Sequence, residues 1–261
     1  MRALSIGATG MLAQQLNVEV ISHNIANMNT TAYQRRRAEF QDLLYQNQRR
    51  VGSNSSDADT VVPAGVQIGL GVKTAAVYRI SEQGNLSLTE NPLDLAINGN
   101  GYFQITLPNG DTAYTRAGAL QVDADGDLVT ADGFTVEPGI TIPQNAVDIA
   151  INASGEVLVS LDGQTTPQNV GQLTLANFIN EAGLLAIGEN LMLETPASGT
   201  AITGTPGSTG FGTLQQGFLE TSNVNVVDEI TNLISAQRAY EMNSKVIETA
   251  DQMMSTLGNI R

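Results

Sequence analysis

The sequence predicts an α+β protein, with long N- and C-terminal helices forming a coiled-coil-like bundle and a mainly-β central domain of short hairpins. Three observations predict it. Apolar residues recur at sevens near both ends of the chain. Between them, short Val/Leu/Ile/Thr runs are separated by Asn-Gly, Asp-Gly and Ser-Gly turns. The 261 residues are 41% hydrophobic and only 15% charged, enough to bury a core. Aromatics make up 5% and tryptophan is absent, so that core is mostly aliphatic.

The N-terminal helix rests on Leu4, Met11, Val18 and Ile25, widened by Ala8, Leu12 and Leu16. No proline interrupts it, and it runs for roughly 35 Å. At the other end Val226, Leu233, Tyr240, Ile247 and Met254 are spaced seven apart, and Ile230, Ala236, Ala250 and Leu257 fill a second seam. Sevens sustained in this way predict a coiled-coil seam. Asn225 is a fitting N-cap, with Asp228 three residues on and Glu229 also in the first turn. This helix is expected from about Val226 to Leu257, roughly 48 Å. Two arrangements are open: a private hairpin of the two helices on the β body, or pairing of the helices with each other and with other copies.

The β texture lies in "LDLAINGNGYFQI", "LPNGDTAYT", "VDADGDLVTADGFTV" and "NASGEVLVSLDGQ". Residues 124–133 and 153–163 read as two hairpins of similar style. Residues 47–65 and 195–210 are polar and turn-rich, and read as loose connections.

Charge is uneven. Residues 1–50 hold six arginines against Glu19, Glu39 and Asp42, in a chain whose net charge is −14. An acidic body repels nucleic acid and anionic membrane surfaces, so no nucleic-acid partner is expected. No stretch reaches the ~18 apolar residues of a membrane span, and the N-terminus lacks a Sec-type apolar run. The expectation is a cytosolic protein, or one exported by a route that reads no Sec signal.

Catalytic chemistry finds no foothold. Without cysteine there are no disulfides, thiol nucleophiles or Cys-based metal sites. His23 is the one histidine and has no Gly-x-Ser-x-Gly partner. Asp123, Asp125 and Asp127 resemble the start of a calcium loop, but Leu128 holds the place of the required glycine and Phe134 that of the closing glutamate. Residues 69–74, "GLGVKT", miss the phosphate-loop spacing, and Gly99-Asn100-Gly101 is too short for a dinucleotide fingerprint. No carboxylate pair is singled out for glycoside hydrolysis. The reading is no catalytic residue, no metal and no cofactor.

The stretch "SHNIANMNTTAYQRRRAEFQDLLYQ" resembles the N-terminal motif of the flagellar rod and hook family, Asn-x-x-Asn-x-x-Thr-x-Gly-aromatic-basic. Asn24, Asn27, Thr30 and Tyr33 match it. Ala32 stands where the family has glycine, which disfavours a positive-φ turn, and Gln34 stands where it has a basic residue. Residues 217–257, "NPLDLAINGNGYFQI" and "AYTRAGALQVDADGDLV" are similar to the family as well, so the resemblance spans nearly the whole chain.

The resemblance implies a structural, non-enzymatic subunit of the flagellar axle. Such subunits are exported by the flagellum's own type III apparatus and assemble as a homo-oligomeric helical tube in the periplasm. Implied neighbours are other rod proteins, the hook protein and the surrounding P- and L-ring proteins. The extra segment from Tyr45 to about Val62 implies the distal rod, where it is thought to stiffen the shaft. A hook or proximal rod subunit is the rival within the family. A secreted β-rich adhesin or binding module is the rival from another class, and a peptidoglycan hydrolase a third. The implied division is 1–44 with 217–261 as the helical assembly domain, 45–74 as the connecting segment and 75–216 as the β-rich outer domain. The interface residues expected are Leu4, Met11, Val18, Ile25, Val226, Ile230, Leu233, Tyr240, Ile247, Met254 and Leu257. The arginines Arg35, Arg36, Arg37, Arg49 and Arg50 are expected to meet acidic residues of an adjacent subunit; a merely solvated face is the alternative.

Overall fold

The computed structural model describes residues 2–49, 64–164 and 166–259, and their side chains except those of Leu257 and Asn259. It is an α+β chain with one long helix at each end and a mostly β region between. The chain divides into two compact units.

The helical unit holds α1 (Arg2–Ala26), α2 (Val226–Asn259) and four strands: β1 (Arg36–Asp42), β2 (Tyr45–Arg49), β3 (Val66–Gly69) and β4 (Val72–Arg79). Strand β1 pairs antiparallel with β4, with Arg37 opposite Tyr78, and β2 pairs with β3, with Tyr45 opposite Gly69. Leu43 N–H donates to the Gly71 carbonyl and Leu70 N–H to that of Leu44, so the two pairs join into one ribbon. Of the stretch 47–65 read as a loose connection, residues 47–49 lie in β2, and residues 50–63 lie outside the described residues. The polar residues of β2 follow no clean alternation, because both of its faces are exposed.

Helix α2 starts as its sequence predicts. Asn225 Oδ1 accepts the Val227 N–H at 3.1 Å, and the Asn225 carbonyl accepts the Glu229 N–H at 3.0 Å. Among the described residues, no helix is long and apolar enough to cross a membrane.

The β unit holds residues 27–35 and 80–224. Its largest sheet is centred on Tyr102–Thr106, which pairs with Thr112–Thr115 on one side and with both Thr135–Val136 and Leu175–Asn177 on the other. A three-stranded meander of Ala146–Ile151, Glu156–Leu161 and Gln168–Gln172 adds Val157 and Val159 to the core. Leu95, Ile97, Ile105, Leu173 and Leu175 join Phe103 in its mostly aliphatic centre. The two stretches read as hairpins each hold one strand, Leu128–Thr130 or Glu156–Leu161, with a turn at either end. The aspartate-rich turn is held from within: Asp123 Oδ1 accepts the N–H groups of Asp125 and Asp127 at 3.0 and 2.9 Å.

Residues 195–210, read as a loose connection, are mostly turns but are built into this unit. Ile202–Gly204 pairs with Leu175–Asn177, and Ser198 is buried. The Thr/Ser/Gly composition serves local hydrogen bonding here: Ser198 Oγ donates to the Thr195 carbonyl, and Ser208 Oγ to that of Thr205.

Candidate assembly surface

Helices α1 and α2 run antiparallel, because contacts step up one helix and down the other: Gly7 meets Ile247, Gly10 meets Asn243, and Asn24 meets Glu229. A Cβ on Gly7 would lie 2.9 Å from Ile247 Cγ1, and one on Gly10 3.0 Å from Asn243 Nδ2. Small residues thus set how closely the helices approach. The buried positions are Gly7, Ala13, Val20, Ile21 and Asn24 on α1, and Glu229, Ala236 and Ala250 on α2.

The large apolar residues that mark the sevens flank this seam. Leu4, Met11, Val18, Ile25, Val226, Leu233 and Ile247 are half-buried, while Ile230, Tyr240 and Met254 are exposed. The side chain of Leu257 lies outside the described residues. A further apolar set faces solvent: Leu12 is 66% exposed, Val227 71% and Met242 64%, joined by Ile234, Val246 and Met253. Val227, Ile230 and Ile234 stand three and four apart and share one face of α2. That face lies away from the seam of Glu229, Ala236 and Ala250.

The asparagines of the N-terminal motif have two roles. Asn24, 1% exposed, lies in the last turn of α1. Its Nδ2 donates to the Arg36 carbonyl at 2.8 Å and to Glu229 Oε2 at 3.3 Å, and its Oδ1 accepts the Arg36 N–H at 2.8 Å. It therefore ties both helices to the start of the ribbon. In the β unit, Asn27 and Thr30 close a turn through their side chains and backbone. The next turn contradicts the expectation for Ala32, which adopts φ 55° and donates its N–H to the Glu220 carbonyl at 2.8 Å. That bond and the Asn223 N–H donated to the Tyr33 carbonyl fix the turn at a position where alanine is strained. Gln34 is buried and hydrogen bonds to the Tyr102 hydroxyl, which also donates to Glu181 Oε2 at 3.1 Å. Burial, then the Glu181 charge, pushes the Tyr102 phenol up to about 12.

The arginines differ in their surroundings. Arg35, in the β unit, meets Glu82 at 3.5 Å, and its N–H donates to Asn223 Oδ1 at 2.7 Å. Arg37 lies over the Tyr78 ring, 5.3 Å from its centroid, and bonds to the Tyr78 hydroxyl and to Glu39 at 3.2 Å. Hydrogen bonds from Tyr78 and then Arg37 hold the Glu39 carboxyl below its usual range. Arg36 is half-buried, its Nε without a hydrogen-bond partner. Arg49 is exposed on β2, twelve residues beyond Arg37, and Arg50 lies outside the described residues.

Sequence reasoning missed a buried ion pair in the β unit. Arg116 and Glu220 meet at 2.9 Å, their side chains 5% and 2% exposed. Arg116 also donates to the Gly101 and Gly99 carbonyls at 3.0 and 3.1 Å, and Glu220 Oε1 accepts the Gly84 N–H at 3.0 Å. Nothing in either local sequence marks a partner 104 residues away.

Residues 4–34 match the family model for the flagella basal body rod protein, residues 96–159 that for the flagellar hook protein FlgE/F/G D1 domain, and residues 215–260 that for the flagellar basal body rod FlgEFG protein C-terminal region. The chain is 62% identical to the flagellar basal-body rod protein FlgG of Caulobacter vibrioides over the full length of both chains. It is 55% identical to that of Agrobacterium fabrum, covering 98% of this chain and 97% of the relative. Identity to the Bacillus subtilis protein is 40%, over 100% and 99% of the two chains. The chain belongs to the flagellar basal-body rod protein family. It is a structural subunit of the flagellar basal body and not an enzyme. The first and third matched regions contain nearly all of the helical pair. The rod family's N-terminal motif therefore splits physically, with Asn24 joining elements of the helical unit and Asn27 to Tyr33 forming a turn in the β unit.

Proposed function

We propose that this rod subunit polymerises helically into the distal rod, the drive shaft that carries torque to the hook, through coiled-coil packing of its terminal helices. The observation that carries the reading is the solvent-facing apolar set on α2. Val227, Ile234, Met242, Val246 and Met253 stay exposed with α1 packed along α2. Fully burying each such side chain is worth roughly 1.5–3 kcal/mol, which a neighbouring copy supplies and a lone chain does not. A repeated head-to-tail contact of this kind builds an open helix when its rotation does not close into a ring. In this reading residues 1–44 and 217–261 assemble, 45–74 connect, and 75–216 face outward. The chain meets other rod proteins, the hook protein, the P- and L-ring proteins and the export apparatus. Arg35, Arg36, Arg37, Arg49 and Arg50 contact acidic residues of a neighbour.

Pairing Ile234→Asp with Met242→Asp tests the reading in cells that make only the variant. Both side chains are exposed in the single chain, so its fold and export are expected to survive. Basal bodies isolated from these cells should lack the distal rod, and the cells should not swarm. Rods in normal number would overturn the reading.

A further inference from the structure

We infer that the groove between α1 and α2 is a socket for Arg238 of a second copy of this chain. The inference rests on the reading of the terminal helices as assembly elements, and deepens it by naming one contact. The groove encloses about 340 Å³ and is lined by Gln15, Val18, Glu19, Gln237, Tyr240 and Glu241. Val18 and the Tyr240 ring give it an apolar, aromatic wall. Glu19 and Glu241 place a carboxylate on each helix, and Gln15 Nε2 donates to Glu19 Oε1 at 3.1 Å. A carboxylate on each helix, together with an aromatic ring in the same groove, suits a planar guanidinium, which combines charge-assisted hydrogen bonds with stacking.

The chain carries the matching cation on another side of the same helix. Arg238 and Lys245 are exposed, stand seven apart on α2, and form no ion pair among the described residues. At about 100° per residue, both lie roughly 150° around the helix from Tyr240. An arginine there cannot fill its own groove, but it projects toward a neighbour. Ile234 and Met242, four residues to either side of Arg238, bring apolar surface to the same contact. Groove and cation on different sides of one helix make a heterologous contact, which repeats from copy to copy and builds an open helix where its rotation does not close a ring. The charges give register and the apolar residues give area, the usual division at an interface.

The test is a charge exchange in cells making only the variant full-length chain, read as rods per isolated basal-body preparation. Arg238→Glu should lower the count by about ten-fold or more. Adding Glu19→Arg and Glu241→Arg to the same chain should restore it, because the pairing is reversed but kept. Rod counts with Arg238→Glu alone equal to those of the parent would overturn the inference, as would a reversed triple variant that stays as defective as the single one. The Ile234→Asp, Met242→Asp chain separates the two readings. If it fails to build rods while Arg238→Glu builds them, the helices still assemble and only the socket is wrong.

Discussion

Replacing Glu220 with alanine is expected to cost the β unit about 3–5 kcal/mol, the range for breaking one side of a buried ion pair. The change strands the Arg116 guanidinium, 5% exposed, with two backbone carbonyls and without its carboxylate. It also takes the acceptor from the Gly84 N–H. A Cβ on Gly84 would sit 1.8 Å from the Thr221 carbonyl oxygen, so this crossing of chain segments has little room to relax. Urea unfolding of the purified chain, followed by circular dichroism of the β signal, measures the loss. Glu220→Gln keeps acceptor capacity and should cost less than alanine. Equal stability of the alanine variant and the parent would show that the pair contributes no net stability.

Asn24→Leu is expected to lower the stability of the helical unit by about 3 kcal/mol. Leucine is close in size but makes none of the three hydrogen bonds to Arg36 and Glu229, and the site is buried. Leaving one buried polar group unmatched costs ~1–3 kcal/mol, and more where a charge is involved. The helices are short of partners in a single chain, so the sensitive readout is assembly: rods in isolated basal bodies should disappear. Glu229→Gln retains an acceptor for Asn24 Nδ2 and should build them. Normal rods with leucine at position 24 would show that the helices do not need this tie to the ribbon.

Both positions show where the sequence was readable and where it was not. The terminal helices announce themselves through apolar residues at sevens and through the Asn225 cap, because helix periodicity and capping are local. The turns of the β unit are equally local: Asp123 and Asn152 accept backbone N–H groups two and four residues on. The inner helix seam is a different matter. It includes Gly7, Gly10 and Asn243, residue types that carry no apolar signal, beside Ala236 and Ala250, which the second seam of the pattern did mark. Most of the conspicuous Leu, Ile and Met residues flank that seam or face solvent, Ile21 being buried. The arginine run read as one basic patch, yet Arg35 and Arg37 have partners within the chain and Arg49 lies far along the ribbon. Partners such as Glu220 for Arg116, or Glu229 for Asn24, are set by packing over more than a hundred residues, where a single sequence carries no pairing information. Ala32 shows the limit of local propensity, since a hydrogen bond to Glu220 holds it where alanine alone would not settle.

Assembly through the outer faces of the terminal helices is the central claim, and the absence of cysteine makes it directly measurable. Leu12→Cys and Ile234→Cys place one thiol on the exposed side of each helix. A short bis-maleimide is added to cells that make this chain, and its products are separated by size. A ladder of dimers, trimers and longer species, absent from either single-cysteine chain, is the predicted result. Monomer alone, in cells that export the chain normally, would contradict the account.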